Sequence, residues 1–108
     1  MNARQWEIWK GRPAGFQADH WFVIISNTER GQSARAATVN GLACFTLRGT
    51  LTPADVLLNG ADGLSAPTAC ACDFLFSLPK SGLHSGLGSV SWERQQQIKS
   101  KLKEVFRL

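Results

Sequence analysis

The stretch that decides the fold is the last one, SWERQQQIKSKLKEVFRL (91–108), because here the apolar period changes. Ile98, Leu102 and Val105 recur at i, i+4 and i+7, which is one face of an α-helix. Lys99, Lys103 and Arg107 form a separate stripe at i, i+4 and i+8. Ser91 is placed to cap the N-terminus and Glu93 falls in the first turn. The basic side chains gather toward the C-terminus, as the helix dipole favours. The expectation is one amphipathic C-terminal helix.

Upstream of that helix the chain reads as short strands. QWEIW (5–9) alternates, with Trp6 and Ile8 on one parity and Glu7 and Trp9 on the other. KGRPAG (10–15) is turn chemistry, and HWFVIIS (20–26) follows as a strand apolar enough for burial on both faces. NTERGQSAR (27–35) reads as a polar loop. Residues 36–47 read as a long strand in which Gly41 marks a bulge. A short strand is expected over Asp55 to Leu58, a turn at NGADG (59–63), and another strand over Thr68 to Leu78. PKSGLHSGLGS (79–89) reads as a flexible loop. Five or six short strands and one helix predict a small β-barrel or sandwich with the helix packed on it.

The chain has 108 residues, which suits one domain over 1–108. No apolar run approaches the ~18 residues that span a bilayer, so no membrane partner is expected. The N-terminus lacks the apolar segment of a secretory signal, which makes the cytoplasm the simplest compartment. Cys44, Cys70 and Cys72 are an odd number of thiols, against a disulfide framework. Cys70 and Cys72 share a strand face and read as small buried side chains. The net charge is +4, and residues 91–108 hold five basic against two acidic side chains. A basic excess fits a nucleic-acid partner, and it fits a solvated helix face as well.

No phosphate-cradling glycine motif stands in the right context, and His20 and His84 lack the neighbours of a metal site. No metal or cofactor is expected. One local feature is odd. The apolar strand 20–26 starts on Asp19, His20 and Trp21, three side chains that want polar partners.

Taken in order, Glu7-Ile8-Trp9, Gln17-Ala18-Asp19-His20, Val23-Ile24-Ile25-Ser26, Thr46, Pro53-x-Asp55-Val56-Leu57, Cys72-Asp73 and Gln97-Ile98-Lys99-x-Lys101-Leu102 resemble the PemK/MazF toxins, also called Kid-type toxins. The resemblance runs from about Gln5 to Val105. It implies a mainly β fold, an SH3-like β-barrel with a C-terminal α-helix, and a homodimer. It also implies the toxin of a type II toxin-antitoxin system, a metal-independent endoribonuclease (mRNA interferase) that cuts single-stranded RNA and is inhibited by a cognate antitoxin protein. Such an enzyme uses the 2′-hydroxyl of the RNA as nucleophile. The protein supplies a base, an acid and cationic donors for the charged transition state.

Carried over by position, Thr46 and Asp73 are catalytic, and His20, just before the position of the family's catalytic arginine, is taken as the third catalytic residue. RNA contacts fall to Phe16, Gln17, Trp21, Arg35 and Arg48, with Phe16 and Trp21 stacking bases. The sequence departs from the family pattern at the arginines: Trp21 and Ala71 stand where the family has guanidinium groups. Arg48 or Arg35 reaching the phosphate, or a protonated His20, would replace that charge. A second reading is a non-catalytic member that binds an antitoxin peptide or nucleic acid through the same groove, since four tryptophans are many for a chain of this length. A third is a gyrase poison of the CcdB kind, for which no motif speaks.

Overall fold

The computed structural model describes residues 3–108. Five strands form one antiparallel sheet: β1 (Ile8–Gly11), β2 (His20–Ile24), β3 (Thr38–Thr46), β4 (Asp55–Leu58) and β5 (Thr68–Pro79), in the order β1-β2-β3-β5-β4. A short helix, α1 (Thr28–Gln32), joins β2 to β3, and α2 (Trp92–Phe106) ends the chain. The mainly β architecture with a C-terminal helix is the one expected.

Each face of the sheet carries a buried core. Phe22, Val23 and Ile24 in β2 are all fully buried. Alternation sends Val23 to one core, with Ile8, Leu42, Val56, Cys70 and Ile98 of α2. Phe22 and Ile24 face a second core with Val39, Ala43, Leu78 and Leu83. Each of these large apolar side chains contributes about 1.5–3 kcal/mol through burial. In α2, Ile98 is buried and Leu102 packs against the first core, while Lys99, Lys103 and Arg107 are exposed.

Several expectations need correction. The first strand begins at Ile8, because Trp6 has φ 73, a left-handed backbone that ends any strand there. Its amide donates to the Ile24 carbonyl at 2.7 Å and its carbonyl accepts from Val90 at 2.8 Å, so tertiary bonds hold this conformation. The polar segment after β2 contains α1, started by Asn27, whose side chain accepts from the Arg30 amide at 2.8 Å. The stretch 79–89 is not a free loop. It runs along the outer edge of β1, with Lys10 and His84 exchanging backbone bonds of 2.9 and 3.0 Å, and Ile8 bonded to Leu87 and Gly88. An otherwise unpaired strand edge is thereby covered.

The bulge is also displaced. Gly41 stays paired with Ile24 and Phe76, and its missing Cβ is a packing feature: a Cβ there would lie 2.8 Å from Leu78 Cδ1 and 3.1 Å from Phe22 Cβ. The register breaks at the next step. Between the pairs Leu42↔Leu75 and Cys44↔Cys70, β3 passes only Ala43 while β5 passes residues 71–74.

The start of α2 is held from another element. Ser91 occupies the N-cap position but makes no side-chain cap bond. Its amide instead donates to Asp62 Oδ1 at 2.9 Å. Asp62 closes a 3-10 turn (Gly60–Asp62), accepts from the Asn59 amide at 3.0 Å, and lies 3.8 Å from Arg94 Nε. The side chain of Asp62 is fully buried. Asp62 thus ties the β4–β5 connection to the helix.

Candidate functional site

The C-terminal end of β3 and the N-terminal starts of its antiparallel neighbours β2 and β5 frame two adjoining cavities. One, of about 520 Å³, is lined by Lys10, Asp19, His20, Trp21, Thr46 and Arg48, among others. The other, of about 370 Å³, is lined by Thr46, Arg48, Asp55, Asp73 and Phe74, among others. Phe45, Thr46 and Arg48 belong to both and form the shared wall. Thr46 is the last residue of β3 and Arg48 follows it by two, just past the strand end, and both line the two cavities.

Register explains the first cavity. Lys10 on β1 stands directly opposite Trp21 on β2, and Trp21 opposite Cys44 on β3. The Lys10 ammonium sits 5.0 Å from the centre of the Trp21 ring, a cation–π distance. Trp21 itself is half-buried against the first core. At its position the structure therefore holds a cation on an indole, delivered from the neighbouring strand. Thr46 pairs with Thr68, whose hydroxyl donates to the Ala66 carbonyl at 3.0 Å.

His20 is the first residue of β2, one position from Trp21, and projects to the opposite face. Its ring lies edge-on to Phe16 at 5.1 Å and to Phe45 at 5.8 Å. Asp19, just before it, is clamped from two loops. Its carboxylate accepts from His84 Nε2 at 2.6 Å and from Arg12 Nε at 3.1 Å. The His84 hydrogen bond, with the Arg12 guanidinium beside it, holds the Asp19 carboxyl below its ordinary range. The other nitrogen of His84, Nδ1, meets Ser85 Oγ at 2.9 Å. The polar start of the strand is thus half site wall and half loop anchor.

Four of the expected site residues meet around the first cavity: His20, Trp21, Thr46 and Arg48. Asp73 lines the second cavity with Thr46 and Arg48. Ala71 lines the same cavity as a buried small residue. Phe16 is not beside Trp21. It belongs to the second core's aromatic side, with Phe22 and Phe76. Gln17 is exposed in the β1–β2 connection and lines neither cavity. Arg35 precedes β3 while Thr46 ends it, a separation of roughly 26 Å along the strand. It lines a surface depression with Glu29 and Arg30 and does not reach the two cavities, so only Arg48 of the two arginines does.

Lys10 was legible only through register, because nothing in KGRPAG marks its partner. Asp19 carries a signal, the acid at the head of an apolar strand, but of its partners Arg12 shares its own connection and His84 comes from a distant segment. Cys44 lines the first cavity at the base of a buried thiol group. The Cys44 sulfur beside Cys70, together with burial, pushes the Cys70 thiol well up, and Cys70 and burial do the same to Cys72. These are inert core thiols, as their strand spacing suggested. No helix among the described residues is long and apolar enough to cross a membrane.

No family model matches the sequence, and no curated protein matches it. Solved structures do. An endoribonuclease in complex with its cognate antitoxin, from a mycobacterial species, superposes with TM-score 0.81 at 23% identity, over 98% of this chain and 96% of that one. An endoribonuclease from a mycobacterial species gives TM-score 0.79 at 21% identity, over 100% and 94%. MazF from Deinococcus radiodurans gives 0.78 at 13% identity, over 100% and 99%. The chain has the fold of the MazF-type endoribonuclease toxins across its whole length.

Proposed function

We propose that this protein is a metal-independent endoribonuclease acting on single-stranded RNA, the toxin of a type II toxin-antitoxin pair. The observation that carries the reading is the shared wall. Thr46 and Arg48 stand between two cavities, with His20 lining one and Asp73 the other. Attack of a 2′-hydroxyl on the adjacent phosphorus expels the 5′-oxygen from the opposite side. The reaction therefore needs a proton acceptor and a proton donor on either side of a bound phosphate, with positive charge between them.

In this reading the scissile phosphate rests on the Thr46 hydroxyl and the Arg48 guanidinium. Arg48 offers a fork of donors, and Lys10, held on the Trp21 ring, adds a second cation. His20 takes the 2′-hydroxyl proton, and the departing 5′-oxygen takes a proton from solvent on the Asp73 side. The products are a 2′,3′-cyclic phosphate and a free 5′-hydroxyl, so atoms and charge balance without a metal. Lys10 and Arg48 supply the charge that Trp21 and Ala71 do not. An antitoxin protein would occupy the same two cavities, a partner supported by the mycobacterial neighbour in complex with its cognate antitoxin. A homodimer would double the cavities.

The test is incubation of purified protein with a mixed single-stranded RNA pool in EDTA. The expected result is discrete cutting with cyclic-phosphate ends, lost in His20→Ala and Thr46→Ala. Cutting no greater than in those variants would sink the nuclease reading. Tight binding of RNA or of an antitoxin peptide without turnover would favour a non-catalytic binder.

A further inference from the structure

Beside the shared wall, five rings close on one another over the sheet face opposite α2. Around the circuit, Phe16 meets His20 at 5.1 Å, His20 meets Phe45 at 5.8 Å, and Phe45 meets Phe74 at 6.0 Å. Phe74 meets Phe76 at 5.5 Å, and Phe76 returns to Phe16 at 5.0 Å. Contacts of this length, edge-on in four cases and tilted between Phe45 and Phe74, hold each ring in place. Phe74 is 51% exposed, although it is a large apolar side chain at the register break of β5. The break leaves it without a ladder partner, and it lines the second cavity.

We propose that Phe74 and Phe45, backed by Phe16 and Phe76, form a stacking subsite for an unpaired nucleobase flanking the scissile phosphate. The inference rests on the nuclease reading and adds to it the place where a base is held. Three observations support this occupant over a protein. The patch is continuous with the phosphate cavities, since Phe45 lines both and Phe74 lines one. The cations Arg48 and Lys10 stand at its border, on a chain of net charge +4, where a phosphodiester backbone would run. Every member is a ring, and stacking requires π faces where protein docking would be served equally by aliphatic side chains. A base stacked on Phe74 cannot be paired, so the subsite selects single strands.

The experiment uses the full chain and two fluorescent oligonucleotides in which every 2′-hydroxyl is 2′-methoxy, which prevents cleavage. One carries bases, including 2-aminopurine, and the other is its abasic counterpart. For Phe74→Ala the expected result is a loss of affinity for the base-bearing strand of about five- to a hundred-fold. The 2-aminopurine quench should vanish, and the abasic strand should bind unchanged. Phe74→Leu keeps apolar area without a π face and should lose nearly as much. Phe45→Leu is a second reading of the same site. Equal losses on both strands, or none, overturn the subsite while leaving the nuclease reading intact. A change of oligomeric mass in Phe74→Ala with unaltered RNA binding would assign the patch to a second copy of the chain and overturn it too. Failure of the wild-type protein to bind either strand would take the nuclease reading down as well.

Discussion

Asp62 offers a test of how the helix is held that does not depend on function. Its buried carboxylate accepts amide bonds from Asn59 at 3.0 Å and Ser91 at 2.9 Å, and faces Arg94 at 3.8 Å. Replacement by alanine removes both bonds and leaves two amides and a partly buried guanidinium without their acceptor. Hydrogen bonds to a charged group are worth about 1.5–3 kcal/mol each, so Asp62→Ala should cost about 3–5 kcal/mol. An asparagine side chain would keep one oxygen but present its amide NH2, a donor, to one of the two N–H groups. Asp62→Asn should therefore cost less, about 1–3 kcal/mol. Urea unfolding followed by tryptophan fluorescence measures both, and the slope should stay constant while the midpoint falls. A loss below about 1 kcal/mol for Asp62→Ala, or a larger loss for the asparagine variant, would refute the anchoring role.

Three further outcomes are expected. Arg48→Ala and Lys10→Ala should each lower the cleavage rate by about 10²–10³-fold, the scale for losing one preorganised donor, measured in single-turnover reactions on one RNA. The Asp19 clamp should depend on pH in one direction. The folded-state carboxyl is held below its unfolded value, so its contribution to stability is fully present above the ordinary Asp value of about 3.9 and disappears as pH falls through the lowered one. Wild type should thus exceed Asp19→Asn in stability at neutral pH and converge on it in acid, as thermal melts across that range will show. Gly31→Ala should destabilise by about 1–3 kcal/mol or more, since a Cβ there would run into the Ala3 carbonyl oxygen. Hydrogen exchange should then show the N-terminal segment released from α1.

The parts legible from sequence are those set by period and local chemistry. The helix from Trp92 declares itself through Ile98 and Leu102, and β2 through its unbroken apolar run buried on both faces. The fate of Cys70 and Cys72 follows from spacing alone. Features created by pairing were hidden. Trp6 alternates like a strand residue, yet bonds to Ile24 and Val90 turn its backbone left-handed. The glycines and serines of 79–89 suggested freedom, while the unpaired edge of β1 gave that segment backbone partners. The same limit applies to the site. Thr46 and Arg48 are two apart in sequence and come out together, and Arg35 is excluded only once the length of β3 lies between it and Thr46. Lys10 enters through the Lys10↔Trp21 pairing, and neither stretch of sequence contains that information by itself.

The register break in β5 divides labour along one strand. Residues 68–71 are held by β3 and β4, and residues 75–79 by β3, so both flanks answer to the sheet. Asp73 and Phe74 between them have no strand partner in either ladder and face the second cavity. Exchanging the Phe74 side chain leaves the ladder bonds in place, so substrate preference can drift, or be engineered, at this point while Asp73 keeps its place beside it. The fold carries its most exchangeable reading position on its longest strand.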